Sequence, residues 1–207
     1  MTNNRAIEMH SLKHFIRESL KKSYNSLLKD EFKDLGLFIT VPEVIIREIE
    51  AVFPDIKKVH SEDESPNHIT LLVINKDYNK LDEIKETITK ALQTLEPFTC
   101  KIHGTGAFIH EEDDSDRKSV LYAKIVSETL VQIHYKIRKA LENIGVEINH
   151  YYGDENKYTP HMTLSYYDTA EELEDAPEIK IDASWLVDRV ELWGYGSPSL
   201  FRFGETV

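Results

Sequence analysis

The segments His68-Ile69-Thr70-Leu71-Leu72-Val73-Ile74 and His161-Met162-Thr163-Leu164-Ser165-Tyr166-Tyr167 open on one pattern: a histidine, an apolar residue, a threonine and a leucine. Both are rich in aliphatic, aromatic and β-branched residues, which predicts strands. Side chains alternate across a strand, so His68 and Thr70 share one face while Ile69, Leu71 and Val73 take the other. His161 and Thr163 stand in the same relation to Met162 and Leu164. Each segment thus sets an imidazole and a hydroxyl roughly 7 Å apart along one face, above an apolar face that anchors the strand.

The flanking sequence repeats an architecture. Ahead of His68 come a short apolar strand over 37–41, closed by Pro42, and a helical stripe over 43–53 carried by Val44, Ile45, Ile49, Val52 and Phe53. Ahead of His161 come a strand over 120–126, a helix over 128–144 stopped at Gly145, and a short strand over 146–148. Pro66 and Pro160 lie in the loops that lead into the two histidines. Two similar lobes follow, each presenting the same pair of side chains. Between them run a helix with Leu81, Ile84, Ile88, Ala91, Leu92 and Leu95 on one side, ended by Pro97, and an alternating strand over 98–108 that contains Gly104 and Gly106. Residues 179–181 and 190–193 read as further strands. At the other end, Leu12, Phe15, Ile16, Leu20, Tyr24, Leu27, Leu28, Phe32 and Leu35 recur at three- and four-residue steps, an amphipathic helical stripe. The chain therefore divides into an N-terminal helical extension over 1–35 and a single bilobed domain over 36–207.

Composition narrows the function. The 207 residues include 25 Lys and Arg against 37 Asp and Glu, a net charge of −12. That balance opposes a clamp on long nucleic acid, which depends on many Lys/Arg phosphate contacts, but not a small phosphate ligand in a local pocket. A chain of this length buries about 70% of its unfolded surface and needs neither disulfide nor structural metal to hold a core. Cys100 is the single cysteine, which fits a reducing compartment and removes zinc-finger and redox-disulfide readings. No apolar run approaches the ~20 residues that span a bilayer, and Met1-Thr2-Asn3-Asn4-Arg5 opens no signal peptide. The expectation is a cytoplasmic protein with no membrane segment.

Two histidines titrating near neutrality can divide general-base and general-acid work, and two threonine hydroxyls can donate to a phosphoryl oxygen. With nine histidines in the chain, His-x-Thr arises about 0.6 times by chance, and a third instance, His103-Gly104-Thr105, is indeed present. The other two are set apart by the longer match, by the proline-bearing loop before each and by their equivalent places in the repeat.

With those residues in view, the chain resembles the 2H phosphoesterases, the LigT-like 2′-5′ RNA ligases and cyclic nucleotide phosphodiesterases named for two His-x-Thr/Ser motifs. The resemblance covers roughly residues 36 to 196. It implies an α+β, two-lobed fold with two antiparallel sheets in pseudo-twofold relation around a central groove and helices outside. It implies His68 and His161 as the acid/base pair, Thr70 and Thr163 as phosphate-orienting hydroxyls, and catalysis without metal or other cofactor. The substrate implied is a small cyclic or 2′-5′-linked nucleotide or short RNA-like molecule. A base-stacking aromatic is expected near such a groove; Phe38, Phe108 and Tyr158 are candidates, beside a plain core or surface role for each.

Other readings stay open. A nucleotide-binding or interaction module that keeps the fold without turnover would need no acid/base pair, and the N-terminal helix is the feature favouring it. A zinc site would need a third ligand, and no HExxH or similar spacing is present. His10, His14, His60, His110, His134 and His150 show no ligand spacing and are expected at the surface, with the acidic run over 111–118 a solvated loop.

Overall fold

The structure, a computed structural model, describes residues 35–54, 67–75, 78–109, 118–149, 157–174, 180–194 and 198–204. The N-terminal helical extension, the loop over 61–66, nearly all of the acidic run, and His10, His14, His60, His110 and His150 lie outside the described residues. Leu35, assigned above to the helical stripe, instead opens the first strand. In chain order the elements are β1 (Leu35–Thr40), α1 (Glu43–Val52), β2 (His68–Ile74), α2 (Leu81–Leu92), β3 (Phe98–Phe108), β4 (Ser119–Val126), α3 (Glu128–Asn143), β5 (Ile148–Asn149), β6 (His161–Tyr167), α4 (Ala170–Glu174), β7 (Ser184–Val187), β8 (Arg189–Trp193) and β9 (Ser199–Arg202).

The strands form two antiparallel sheets, β5-β2-β1-β8-β9 and β6-β4-β3-β7. Helices α1, α2 and α3 turn Ile45, Ile46 and Ile49, then Ile84, Ile88 and Leu92, then Leu130, Ile133, Ile137 and Leu141 inward. These meet the apolar sheet faces in one continuous core that draws on both sheets. Ser127 starts α3 by accepting a hydrogen bond from the Leu130 amide (3.4 Å), the side-chain cap that a helix start favours. Cys100 is fully buried in this core, and burial pushes its thiol up to about 12. It is a small apolar filler rather than a nucleophile.

The α+β class and the two sheets agree with the expectation, but the lobes are not contiguous halves of the chain. β3, which follows the first motif, joins the sheet of the second, and β8 and β9 return to the sheet of the first. β9 has no counterpart in the sequence reading. The strand expected over 179–181 is displaced to Ser184–Val187, where the outward Leu186 is 64% exposed and hides the alternation of Trp185 and Val187. The stretch before it still lies against β3, with the Ile102 amide donating to the Ala183 carbonyl at 2.8 Å.

The motifs have a structural signature beyond alternation. In β2, Thr70 lies opposite Phe38 but Leu72 lies opposite Leu37, so Leu71 is an extra residue. In β6, Thr163 lies opposite Tyr122 and Ser165 opposite Leu121, so Leu164 is the extra one. The fourth residue of each motif is therefore a β-bulge. In β2 the buried face changes parity there: Ile69 and Leu71 are buried up to the bulge, Leu72 and Ile74 after it.

Candidate active site

Residues directly opposite in neighbouring strands share a face, so the registers build the site. On the first sheet His68 pairs with Thr40 and Thr70 with Phe38; Phe38 in turn pairs with Glu191, and Gly36 with Trp193. On the second sheet His161 pairs with Lys124 and Thr163 with Tyr122; Tyr122 pairs with Gly106 and Val120 with Phe108. The two registers correspond position by position. Thr40 corresponds to Lys124, Phe38 to Tyr122 and Trp193 to Phe108.

Each imidazole meets an aromatic ring of the neighbouring strand, and a second ring packs on that one. The Phe38 ring meets His68 edge-on at 4.5 Å and Trp193 at 6.1 Å. The His161 ring meets Phe108 at 4.9 Å and Tyr122 at 5.3 Å, and those two rings stack at 4.4 Å. Both ring pairs rest on glycine. A Cβ on Gly106 would lie 2.6 Å from the Tyr122 ring, and one on Gly36 would collide with the Phe38 ring. A switch of parity in β3 makes this possible. The register shifts between Ile102 and Thr105, with Gly104 at φ +71°, a conformation that costs a side-chain-bearing residue dearly. Ile102 therefore faces the core and Phe108 the imidazole.

The electrostatics of the two sides differ. His161 donates its Nδ1–H to the Thr159 carbonyl at 2.8 Å; a carbonyl oxygen only accepts, so Nε2 carries the lone pair of the neutral ring. Burial lowers the His161 pKa below its ordinary 6.5, against a smaller upward pull from that carbonyl. Opposite His161, Lys124 is exposed; opposite His68, the Thr40 hydroxyl is buried with no hydrogen-bond partner among the described residues. Buried Glu191 accepts from the Trp193 indole Nε1–H at 3.1 Å and from the Arg189 Nε–H at 3.5 Å, which fixes the indole.

The strands bearing the motifs come within 8 Å of each other, Cα to Cα. The structure places Phe38 against His68, and Phe108 against His161. Tyr158 is placed otherwise. Its ring stacks on His134 at 4.0 Å, and its hydroxyl donates to the Thr70 carbonyl at 2.8 Å. His134, expected at the surface, is buried in α3 and donates its Nδ1–H to the Leu71 carbonyl at 2.7 Å. The bulge frees that carbonyl from the ladder, and a buried carbonyl without a donor is costly. Tyr122, Trp193, Lys124 and Glu191 were missed from sequence. Laying Leu37-Phe38-Ile39-Thr40 over Leu121-Tyr122-Ala123-Lys124 would have found two of them. His103 and Thr105 lie on the bulged part of β3.

Among the described residues no group of three His, Cys, Asp or Glu side chains is placed to hold a metal ion, and no helix is long and apolar enough to cross a membrane.

A family model described as the 2′-5′ RNA ligase superfamily matches residues 42–198. No curated protein sequence matches the chain. Among solved structures, TT0787 of Thermus thermophilus shares 20% identity at a TM-score of 0.60, covering 84% of this chain and 100% of its own. LigT of E. coli, complexed with 3′-AMP, shares 15% identity at a TM-score of 0.54, covering 83% of this chain and 95% of its own. Usb1 of Kluyveromyces marxianus, with uridine monophosphate, shares 10% identity at a TM-score of 0.55, covering 83% of this chain and 99% of its own. At these identities the likeness is one of fold.

Proposed function

The chain belongs to the 2′-5′ RNA ligase superfamily, among the 2H phosphoesterases, and from that premise we propose that it is a metal-independent phosphodiesterase of small cyclic or 2′-5′-linked nucleotides. The supporting observation is the duplicated register: two His-x-Thr-Leu strands, bulged at the same residue, each setting its imidazole against an aromatic ring of the neighbouring strand, Phe38 for His68 and Tyr122 for His161. LigT with 3′-AMP and Usb1 with uridine monophosphate are nucleotide complexes on this fold.

In this reading His161 is the base. Its Nε2 carries the lone pair and its lowered pKa keeps it neutral at pH 7. On a 2′,3′-cyclic phosphate it takes a proton from water as the water oxygen bonds to phosphorus. One ribose P–O bond breaks, His68 gives its proton to the departing oxygen, and a phosphomonoester results. On a linear 2′-5′ bond the adjacent 3′-hydroxyl is the nucleophile, giving a 2′,3′-cyclic phosphate and a free 5′-hydroxyl. Thr70 and Thr163 donate to the non-bridging oxygens, where charge develops. Phe38, Phe108 and Trp193, each half-buried, offer ring surface to a base.

The test is turnover of 2′,3′-cyclic, 3′,5′-cyclic and 2′-5′-linked nucleotides in excess chelator. At least one is hydrolysed, and His68→Ala and His161→Ala each lose about 10²–10⁴-fold while remaining folded. Abolition by chelator alone would replace this reading with a metal enzyme. Binding without turnover across the panel would replace it with a nucleotide-binding module.

A further inference from the structure

The two motifs belong to different sheets, yet an acid and a base acting on one phosphorus must be held in fixed relation. One side chain spans them. The Tyr158 hydroxyl donates to the carbonyl of Thr70, inside the first motif. Tyr158 itself begins the run Tyr158-Thr159-Pro160-His161 that delivers the second motif. Within that run the Thr159 carbonyl holds the His161 Nδ1–H, and the Pro160 carbonyl accepts from the Ile125 amide at 3.1 Å. The hydroxyl that grips the first motif thus belongs to the residue three places before the imidazole of the second.

Tyr158 is itself clamped by α3. Its ring lies flat on His134, with 2° between planes, and its amide donates to the Tyr135 hydroxyl at 3.2 Å. His134 reaches past it to the Leu71 carbonyl. The consecutive carbonyls of Thr70 and Leu71, where the ladder breaks at the bulge, are therefore both met by side chains from the second half of the chain. Burial, with Cys100 nearby as a smaller cause, pushes the Tyr158 hydroxyl above the ordinary phenol range, so it stays a donor.

We propose that Tyr158, held by His134 and Tyr135, is a positioning residue that sets the first motif against the second and fixes the orientation of His161. This rests on the phosphodiesterase reading for its kinetic consequence but not for its structural one. It also assigns Tyr158 a task distinct from base stacking, because one ring face is covered by His134 and the hydroxyl is engaged with backbone.

The experiment is Tyr158→Phe in the full chain, which keeps the ring on His134 and removes only the hydroxyl. Expected are a kcat about 10-fold lower, as for a small misplacement of a reacting group, and a KM within about twofold, since no substrate contact is lost. Imidazole nitrogen NMR of His161 reports the tautomer without any substrate. The wild type shows the Nδ1–H form alone, and the variant a mixture. His134→Phe, which keeps a ring for Tyr158 but loses the Nδ1–H, lowers kcat likewise, and the double variant is no worse than the poorer single one, as befits one device. Unchanged kcat in Tyr158→Phe, or a raised KM alone, overturns the proposal, as does an unchanged tautomer. If the wild type turns over nothing in the panel, the activity reading falls and the tautomer result still decides the tie.

Discussion

At the scale of single residues, the surroundings of His161 define its protonation. His161 is tied at Nδ1 to the Thr159 carbonyl and is held largely neutral by burial. Its folded pKa lies below 6.5, so the base becomes competent as pH rises through that lower value. The rising limb of kcat/KM is therefore expected below pH 6.5, set mainly by burial; a pH profile of the wild type checks it. A rising limb above 6.5 would assign the base elsewhere. The histidines and threonines of the motifs were legible because alternation alone sorts them from Ile69 and Met162. His134 was not, because nothing in its neighbours on α3 announces that a bulge in a distant strand has freed a carbonyl for it to meet.

At the scale of elements, the strands carry the site by their irregularities. The bulges at Leu71 and Leu164 let each strand turn a His-Thr pair towards the rings before its register shifts. The tyrosine over Gly106 and the phenylalanine over Gly36 lie close because those positions have no Cβ. Gly106→Ala places a methyl 2.6–2.8 Å from Tyr122 side-chain atoms and drives the ring at His161. Turnover should fall by about 10²-fold at a stability cost of about 1–3 kcal/mol, read by thermal unfolding and kinetics together. Undiminished turnover would remove Tyr122 from the site. Strands β2, β3 and β6 were found at their sequence-derived bounds, since runs of seven or more residues rich in aliphatic, aromatic and β-branched side chains are a strong signal even where a bulge interrupts the alternation. β9 has four residues, of which only Phe201 is buried, so period-two alternation had nothing to grip. The register shifts were likewise invisible, because a bulge is a property of two strands and the sequence shows them one at a time.

At the scale of the molecule, the exchange of β3, β8 and β9 between sheets makes the lobes interdependent. Neither sheet can be completed from one half of the chain, and the apolar faces of both belong to one core. Unfolding should then be a single cooperative transition. The two tryptophans make this measurable, since Trp193 lies in the first sheet and Trp185 in the second. Trp185→Phe and Trp193→Phe, each leaving one reporter, should each give a fluorescence midpoint that coincides with that variant's far-ultraviolet circular dichroism midpoint. Separated midpoints would show the sheets melting apart.

The duplication is broken at one matched position, where Lys124 stands beside His161 and Thr40 beside His68. An exposed ammonium on one side and a buried hydroxyl on the other make the surroundings of the two motifs unlike. For the phosphodiesterase proposed above, a nucleotide chain, which has its own head and tail, would find a charge beside His161 alone, much as a keyed plug enters its socket one way only.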